Sequence, residues 1–220
     1  MNKDNKIQAC TDEGVHDAVL NEFYKNNAKK NASILVLGAG FGALENKLIG
    51  DGYSNIVACD KEDRYKVKGI EFKIIDLNED FSQLGEFDYV FAVEVVEHLE
   101  NTFHFMRNLK TVIKDDGIIY VTTPNVHRKS LRLLYFITGK MDFFREKDIH
   151  ESGHIVPILD HLFRYAAKKA NLSILSLTFN RIFTAKRFIG KIKVVILRVV
   201  SLLVPGVEGV VSIYTIKSNV

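Results

Sequence analysis

Val15, Val19 and Phe23 recur at a spacing of four, the signature of one apolar face of a helix. Beyond them the pattern changes to short β-branched runs separated by stretches of helical spacing. SILVLG (33–38) ends in glycine, and FGALENKLIGDG (41–52) has helical spacing with a glycine stop. NIVACD (55–60), EFKIID (71–76) and FDYVFAV (87–93) read as the second, third and fourth strands. TFHFMRNLKTVI (102–113) predicts a helix stopped by DDG (115–117), and IIYVTTP (118–124) a fifth strand. This βα rhythm predicts an α/β fold with a doubly wound sheet. A helical stretch follows, then two widely separated strands, LSILSLTF (172–179) and GVVSIYTIK (209–217). That ending suits a mostly parallel seven-stranded sheet with an antiparallel last strand. With no internal repeat and only three prolines, one domain over 1–220 is expected. Its parts are an N-terminal helix (10–30), a core (31–180), a basic amphipathic insertion (181–208) and the last strand (209–217).

Composition agrees with one large core: 47% of the 220 residues are hydrophobic. The opening MNKDNKIQACTDEG has no apolar h-region, so the expected compartment is the cytoplasm. Cys10 and Cys59 show neither a pairing pattern nor metal-type spacing and read as reduced thiols.

The net charge of +3 hides an asymmetry. Residues 1–160 carry 20 Lys+Arg against 26 Asp+Glu, whereas residues 161–220 carry 10 against 1. Such a basic region either meets an anionic partner, a phosphate-bearing substrate or a lipid surface, or is simply solvated. Within it, FIGKIKVVILRVVSLLVPG (188–206) gathers its apolar residues on one helical arc, with Arg187, Lys191 and Arg198 opposite. Its longest uncharged run, Val199 to Val207, is nine residues, too short to span a bilayer. Two readings stand: 186–204 is an interfacial helix giving peripheral contact at the inner face of the membrane, or it packs on the last strands or on a second subunit of a homodimer. No nucleic-acid partner is expected, because the basic segment lacks interleaved aromatics.

Ligands of doubly wound sheets sit beyond the carboxyl ends of the strands, which gives each strand end a meaning. Strand one ends in GAGFGA, where Gly38, Gly40 and Gly42 permit a tight turn and close approach of a ligand to the backbone. Strand two ends in Asp60, placed to accept hydrogen bonds from ribose hydroxyls, and strand three in Asp76-Leu77. A nucleoside ligand is therefore expected. The glycine loop alone fits both a dinucleotide fold and a methyltransferase, but no second glycine loop follows the fifth strand.

These residues resemble the Rossmann-like class of S-adenosylmethionine-dependent methyltransferases. VLGAGFG resembles its first motif, ACD its ribose acid, IIDLN its adenine motif, and FDYVFAVEVVEHLEN with TTPN its fourth and fifth strand regions. The resemblance implies that Gly38 and Gly40 flank the methionine moiety, Asp60 the ribose, Asp76 the adenine amino group and Leu77 the ring edge. Ala39, Gly42 and Val93 complete the implied cofactor set. EVVEH, TTPN and HESGHIVP are most similar to ubiquinone-biosynthesis O-methyltransferases and to methyltransferases of lipopolysaccharide or capsule assembly. The implied reaction is O-methylation of a small or lipid-linked acceptor, a glycan intermediate or quinone precursor. A non-catalytic nucleotide-binding module and an NAD-dependent oxidoreductase are the alternatives.

Glu94, Glu97 and His98 follow the fourth strand with spacings of three and four, which on a turn or helical start puts them on one side. The resemblance implies a divalent-metal site there, for magnesium or manganese. His98 as general base is the second reading, and capping of the turn by the two glutamates the third. His127 follows the fifth strand and His154 lies in a charged loop, REKDIHESGH (145–154), which the resemblance implies forms part of the acceptor pocket; His154 is the second candidate base. His16, His104 and His161 fall on predicted helices without neighbouring chemistry.

Overall fold

A computed structural model describes residues 7–180, 206–207 and 209–219. The amphipathic segment at 186–204 lies outside the described residues. Helix α1 (Val15–Tyr24) precedes β1 (Ile34–Leu37), α2 (Ala43–Gly50), β2 (Ile56–Asp60), β3 (Glu71–Ile74) and β4 (Phe87–Val93). Then come α3 (Thr102–Val112), β5 (Ile113–Pro124), α4 (Lys129–Thr138), α5 (Glu146–Ser152), α6 (Asp160–Lys169), β6 (Leu172–Phe179) and β7 (Val211–Ser218). The strands form one seven-stranded sheet in the order β3-β2-β1-β4-β5-β7-β6. The first five are parallel neighbours, and β7 runs antiparallel between β5 and β6.

All four residues of β1 are buried because the sheet is covered on both faces. Leu35 and Leu37 enter one core with Phe105 and Met106 of α3 and Phe163 of α6. Ile34 and Val36 enter the other with Val15, Val19 and Phe23 of α1 and Leu44 and Leu48 of α2. The period-two alternation of side chains thus builds a three-layer α/β/α sandwich. Phe23 anchors the α1 side, its ring 5.0 Å from Tyr89 and 5.3 Å from Phe91.

Two local expectations are corrected. DDG does not stop a helix in a loop: α3 passes directly into β5, and Asp115–Gly117 lie in a register shift between the Phe87–Ile113 and Tyr89–Ile118 pairs, with Asp116 at φ 63°. REKDIHESGH is not a loop but largely α5. The Arg145 backbone N–H donates to Asp148 Oδ2 at 3.0 Å to start that helix, and Gly153 at φ 72° ends it.

Candidate functional site

The carboxyl ends of β1 to β4 open into a cavity of about 780 Å³, a size suited to a nucleoside-bearing ligand. Gly38 leaves β1 at φ 69°, and a Cβ built there would stand 2.5 Å from a methyl of Val95. Any larger residue would have to displace Val95 and hold a strained left-handed backbone. Asp60 is 6% exposed, and both its oxygens are anchored: Oδ2 accepts the Gly40 N–H at 2.8 Å and Oδ1 the Glu62 N–H at 3.1 Å. Asp76 Oδ1 accepts from the Asn78 backbone and side-chain nitrogens at 2.9 and 3.0 Å. Gly38, Ala39, Gly40, Asp60, Asp76, Leu77 and Val93 all border the cavity. Gly42 is not among the cavity-lining residues. At φ 89° it opens α2, and a Cβ there would meet Val67 at 2.4 Å, so its need for glycine comes from packing.

The expected trio after β4 separates. Val96–His98 form a single 3₁₀ turn, while Glu94 stands before it at φ 54°. Thr122 of β5 holds Glu94: its hydroxyl accepts the Glu94 N–H at 2.9 Å and donates to Oε1 at 2.9 Å. Burial raises the Glu94 carboxyl to about 7, against the opposing effect of the Thr122 bond. Glu97 is fully buried, its carboxylate oxygens make no hydrogen bond, and burial followed by the charge of Glu94 holds it well above the usual carboxylate range.

In place of Glu94, a histidine from the α5–α6 connection completes the cluster. The Glu97 carbonyl accepts the N–H groups of Ile155 and Val156, both at 3.0 Å, and His98 Nδ1 meets Gly153 O at 3.0 Å. These bonds bring His154 beside His98, ring centroids 4.9 Å apart. His154 Nδ1 in turn meets Phe143 O at 2.9 Å. A carbonyl only accepts, so each ring carries its proton on Nδ1 and keeps the Nε2 lone pair for a ligand. Ligand atoms of Glu97, His98 and His154 all lie within 4.8 Å of one another. Burial is the main cause that pulls His98 below the ordinary imidazole value, so it is unprotonated at neutral pH.

Several cavity residues carried no signal in the sequence. The polar segment before α1 folds over the site, bringing Cys10, Thr11 and Asp12 to the cavity wall, with Cys10 Sγ 3.0 Å from where a Cβ on Gly40 would stand. His16 also lines the cavity, which corrects its reading as a helix residue without neighbouring chemistry. Burial, then Lys47, lowers it to about 4 and keeps it neutral. His127 belongs elsewhere: its Nε2 accepts the Asp160 N–H at 3.0 Å and so caps α6.

A family model described as a methyltransferase domain matches residues 11–177, three quarters of the chain. The chain belongs to the methyltransferase domain family. Fold comparison agrees: a SAM-dependent methyltransferase from Archaeoglobus fulgidus superposes with a TM-score of 0.64 at 14% identity, over 94% of this chain and 93% of that one. Magnesium protoporphyrin IX methyltransferase from Synechocystis, solved with S-adenosylhomocysteine bound, gives 0.63 at 13% identity, over 93% and 82%. In sequence, the ubiquinone biosynthesis O-methyltransferase of Rickettsia bellii is 31% identical over 120 residues, 49% of this chain and 48% of that protein. The chain thus spans about half the length of the curated relatives it matches.

S-Adenosylmethionine is the cofactor of this methyltransferase family, and the residues present fit it. The anchored carboxylate of Asp60, a glycine loop whose Gly38 stands close against Val95 and a second acid at the end of β3 stand in one row along the cavity. Asp60→Ala is expected to weaken S-adenosylhomocysteine binding by about 2 kcal/mol, the scale of lost charged hydrogen bonds. Calorimetric titration checks it, and unchanged affinity in a folded variant would remove the ribose assignment.

Proposed function

We propose that this methyltransferase domain transfers a methyl group from S-adenosylmethionine to a hydroxyl oxygen of a small or lipid-linked acceptor, a quinone precursor or a glycan intermediate. The observation that carries this reading is the pair of imidazoles, His98 and His154, each fixed as the Nδ1–H form by a backbone carbonyl at the wall of the cavity that holds the cofactor motifs. The names of the relatives support it. When bound, S-adenosylmethionine supplies an electrophilic methyl on a sulfonium. The chain's own task is then to orient the acceptor and remove its proton. His98 Nε2 takes that proton as the C–O bond forms and the methyl–sulfur bond breaks, leaving neutral S-adenosylhomocysteine, and the Gly153 carbonyl, already accepting from Nδ1–H, stabilises the resulting imidazolium. His154 Nε2, likewise a lone pair, accepts from a second donor on the acceptor, such as the neighbouring hydroxyl of a catechol. Titration with S-adenosylhomocysteine and with NAD tests the cofactor class: heat is expected only with the former. Turnover of a catechol with labelled cofactor tests O-methylation, and methylation only of amines would refute it.

The Glu97, His98 and His154 cluster supports a second reading, in which these three hold a divalent cation that polarises the acceptor oxygen. Two imidazoles with one carboxylate suit manganese or zinc better than magnesium. Treatment with EDTA is then expected to abolish turnover and manganese to restore it. Full activity after chelation, with no metal found by elemental analysis, would leave the general-base reading.

Among the described residues no helix is long and apolar enough to cross a membrane. The basic, apolar sequence of 186–204 supports peripheral contact with an anionic membrane or a lipid-linked acceptor. Flotation with anionic liposomes at low salt is the expected result, and a protein that stays at the bottom would refute membrane contact.

A further inference from the structure

The carboxyl edge of the sheet sets a scale for the bound cofactor. In the order β3-β2-β1-β4, the strand ends present Asp76, Asp60, Gly38 and Glu94 in turn, and adjacent strands lie about 4.8 Å apart. With adenine at Asp76 and ribose at Asp60, the sulfur, one methylene beyond the ribose ring, falls on the β1–β4 side. Glu94 stands there.

We propose that Thr122 is a positioning residue that holds the Glu94 carboxylate against the sulfonium of bound S-adenosylmethionine. The inference rests on the cofactor reading above. Glu94 adopts φ 54°, a left-handed conformation that residues other than glycine or asparagine occupy under strain and keep only when their surroundings impose it. Thr122 supplies the constraint. Its fully buried hydroxyl takes the Glu94 N–H and gives its own proton to Oε1, fixing backbone and carboxylate together. Oε1 is thereby occupied, and Oε2 is the oxygen left for a ligand in the cavity that Glu94 lines. The next residue, Val95, presses its methyl against Gly38, so the turn that Thr122 holds also borders the cofactor loop. A carboxylate beside a sulfonium discriminates between substrate and product, since S-adenosylhomocysteine has the same adenosine and amino-acid groups but a neutral sulfur.

That difference gives a test that needs no acceptor. Calorimetry on the wild type at about pH 8.5, where Glu94 is ionised, is expected to show S-adenosylmethionine bound about fivefold more tightly than S-adenosylhomocysteine, or better. Thr122→Val should bring the two affinities within about twofold, and Thr122→Ser, which keeps the hydroxyl, should retain the preference. Glu94→Gln should lose it as Thr122→Val does, and carries the test if the valine variant fails to fold. A valine variant that weakens both ligands equally would make Thr122 a structural prop and overturn the inference, as would an unchanged ratio. Binding of neither ligand by the wild type would overturn the cofactor reading along with it.

Discussion

Turnover of a catechol acceptor by the His98→Ala protein is expected to fall about a hundredfold or more, the usual contribution of a positioned general base. Affinity for S-adenosylhomocysteine should stay within about twofold, because the proposed reaction has His98 act on the acceptor and not on the cofactor. Its Nδ1–H is committed to Gly153 O, leaving Nε2 as the only ring atom able to accept a proton. Burial lowers its pKa, so the neutral, competent form persists below the ordinary imidazole value. The wild-type rate should therefore fall as pH drops through that lowered value, giving an acid limb at lower pH than a solvated histidine would. Adding His154→Ala to His98→Ala should cost little more, since groups acting as one unit are not additive. A His98→Ala enzyme that follows the wild-type rate across the pH range would remove the base from the mechanism.

Glu45→Met is expected to make the ligand-free protein more stable at pH 9 and to change it little at pH 5. Glu45 sits in the first turn of α2, fully buried, with neither carboxylate oxygen hydrogen-bonded. Burial is the first cause that pushes its pKa up to about 8 from an ordinary 4.5. The sign follows from linkage: between these two values the native state keeps a proton that the unfolded chain has released, so stability falls as pH rises and the loss is complete above 8. A shift of that size corresponds to a loss on the order of 4 kcal/mol. Methionine has a similar volume, fills the site without a charge and escapes the penalty. Urea midpoints of both proteins at pH 5 and pH 9 measure it. The wild type should lose more stability across that range than the variant, although the raised Glu94 and Glu97 leave some pH dependence in both. Parallel curves for the two proteins would mean that Glu45 ionises in the native state without cost.

The parallel strands were legible because a sheet buried on both faces writes itself as uninterrupted apolar runs, ILVL in β1 and the VFAV end of β4 being the clearest. The glycine loop and Asp60 were legible for a related reason: a backbone that must turn without a Cβ, and an acid at the next strand end, are local requirements. The helical character of α5 was hidden by its charge, since its first turn is held by an Arg145–Asp148 exchange and none of its residues is buried. Spacing placed Glu94, Glu97 and His98 on one side, but spacing assumes one regular conformation. The left-handed backbone at Glu94 breaks that assumption and gives its carboxylate to Thr122. His154 replaces it through bonds between residues 55 or more apart in sequence, which no local pattern displays. The same limit applies to Cys10 and His16, whose place at the cavity follows from how the leading segment folds back over the glycine loop.

The position of β7 also fixes an order of events during synthesis. β6 leaves the ribosome first, yet its only sheet neighbour among the described residues is β7, which arrives some thirty residues later and slots between β6 and β5. Until Val211–Ser218 emerge, the nascent sheet ends in the bare edge of β5, whose last residues, Val121 to Pro124, are buried in the finished protein. An open edge of unpaired backbone groups of that kind is a template for pairing with another chain. A message truncated before Val211 is therefore expected to yield aggregate, not a partly active enzyme, and a chaperone that shields strand edges would act during that interval of translation.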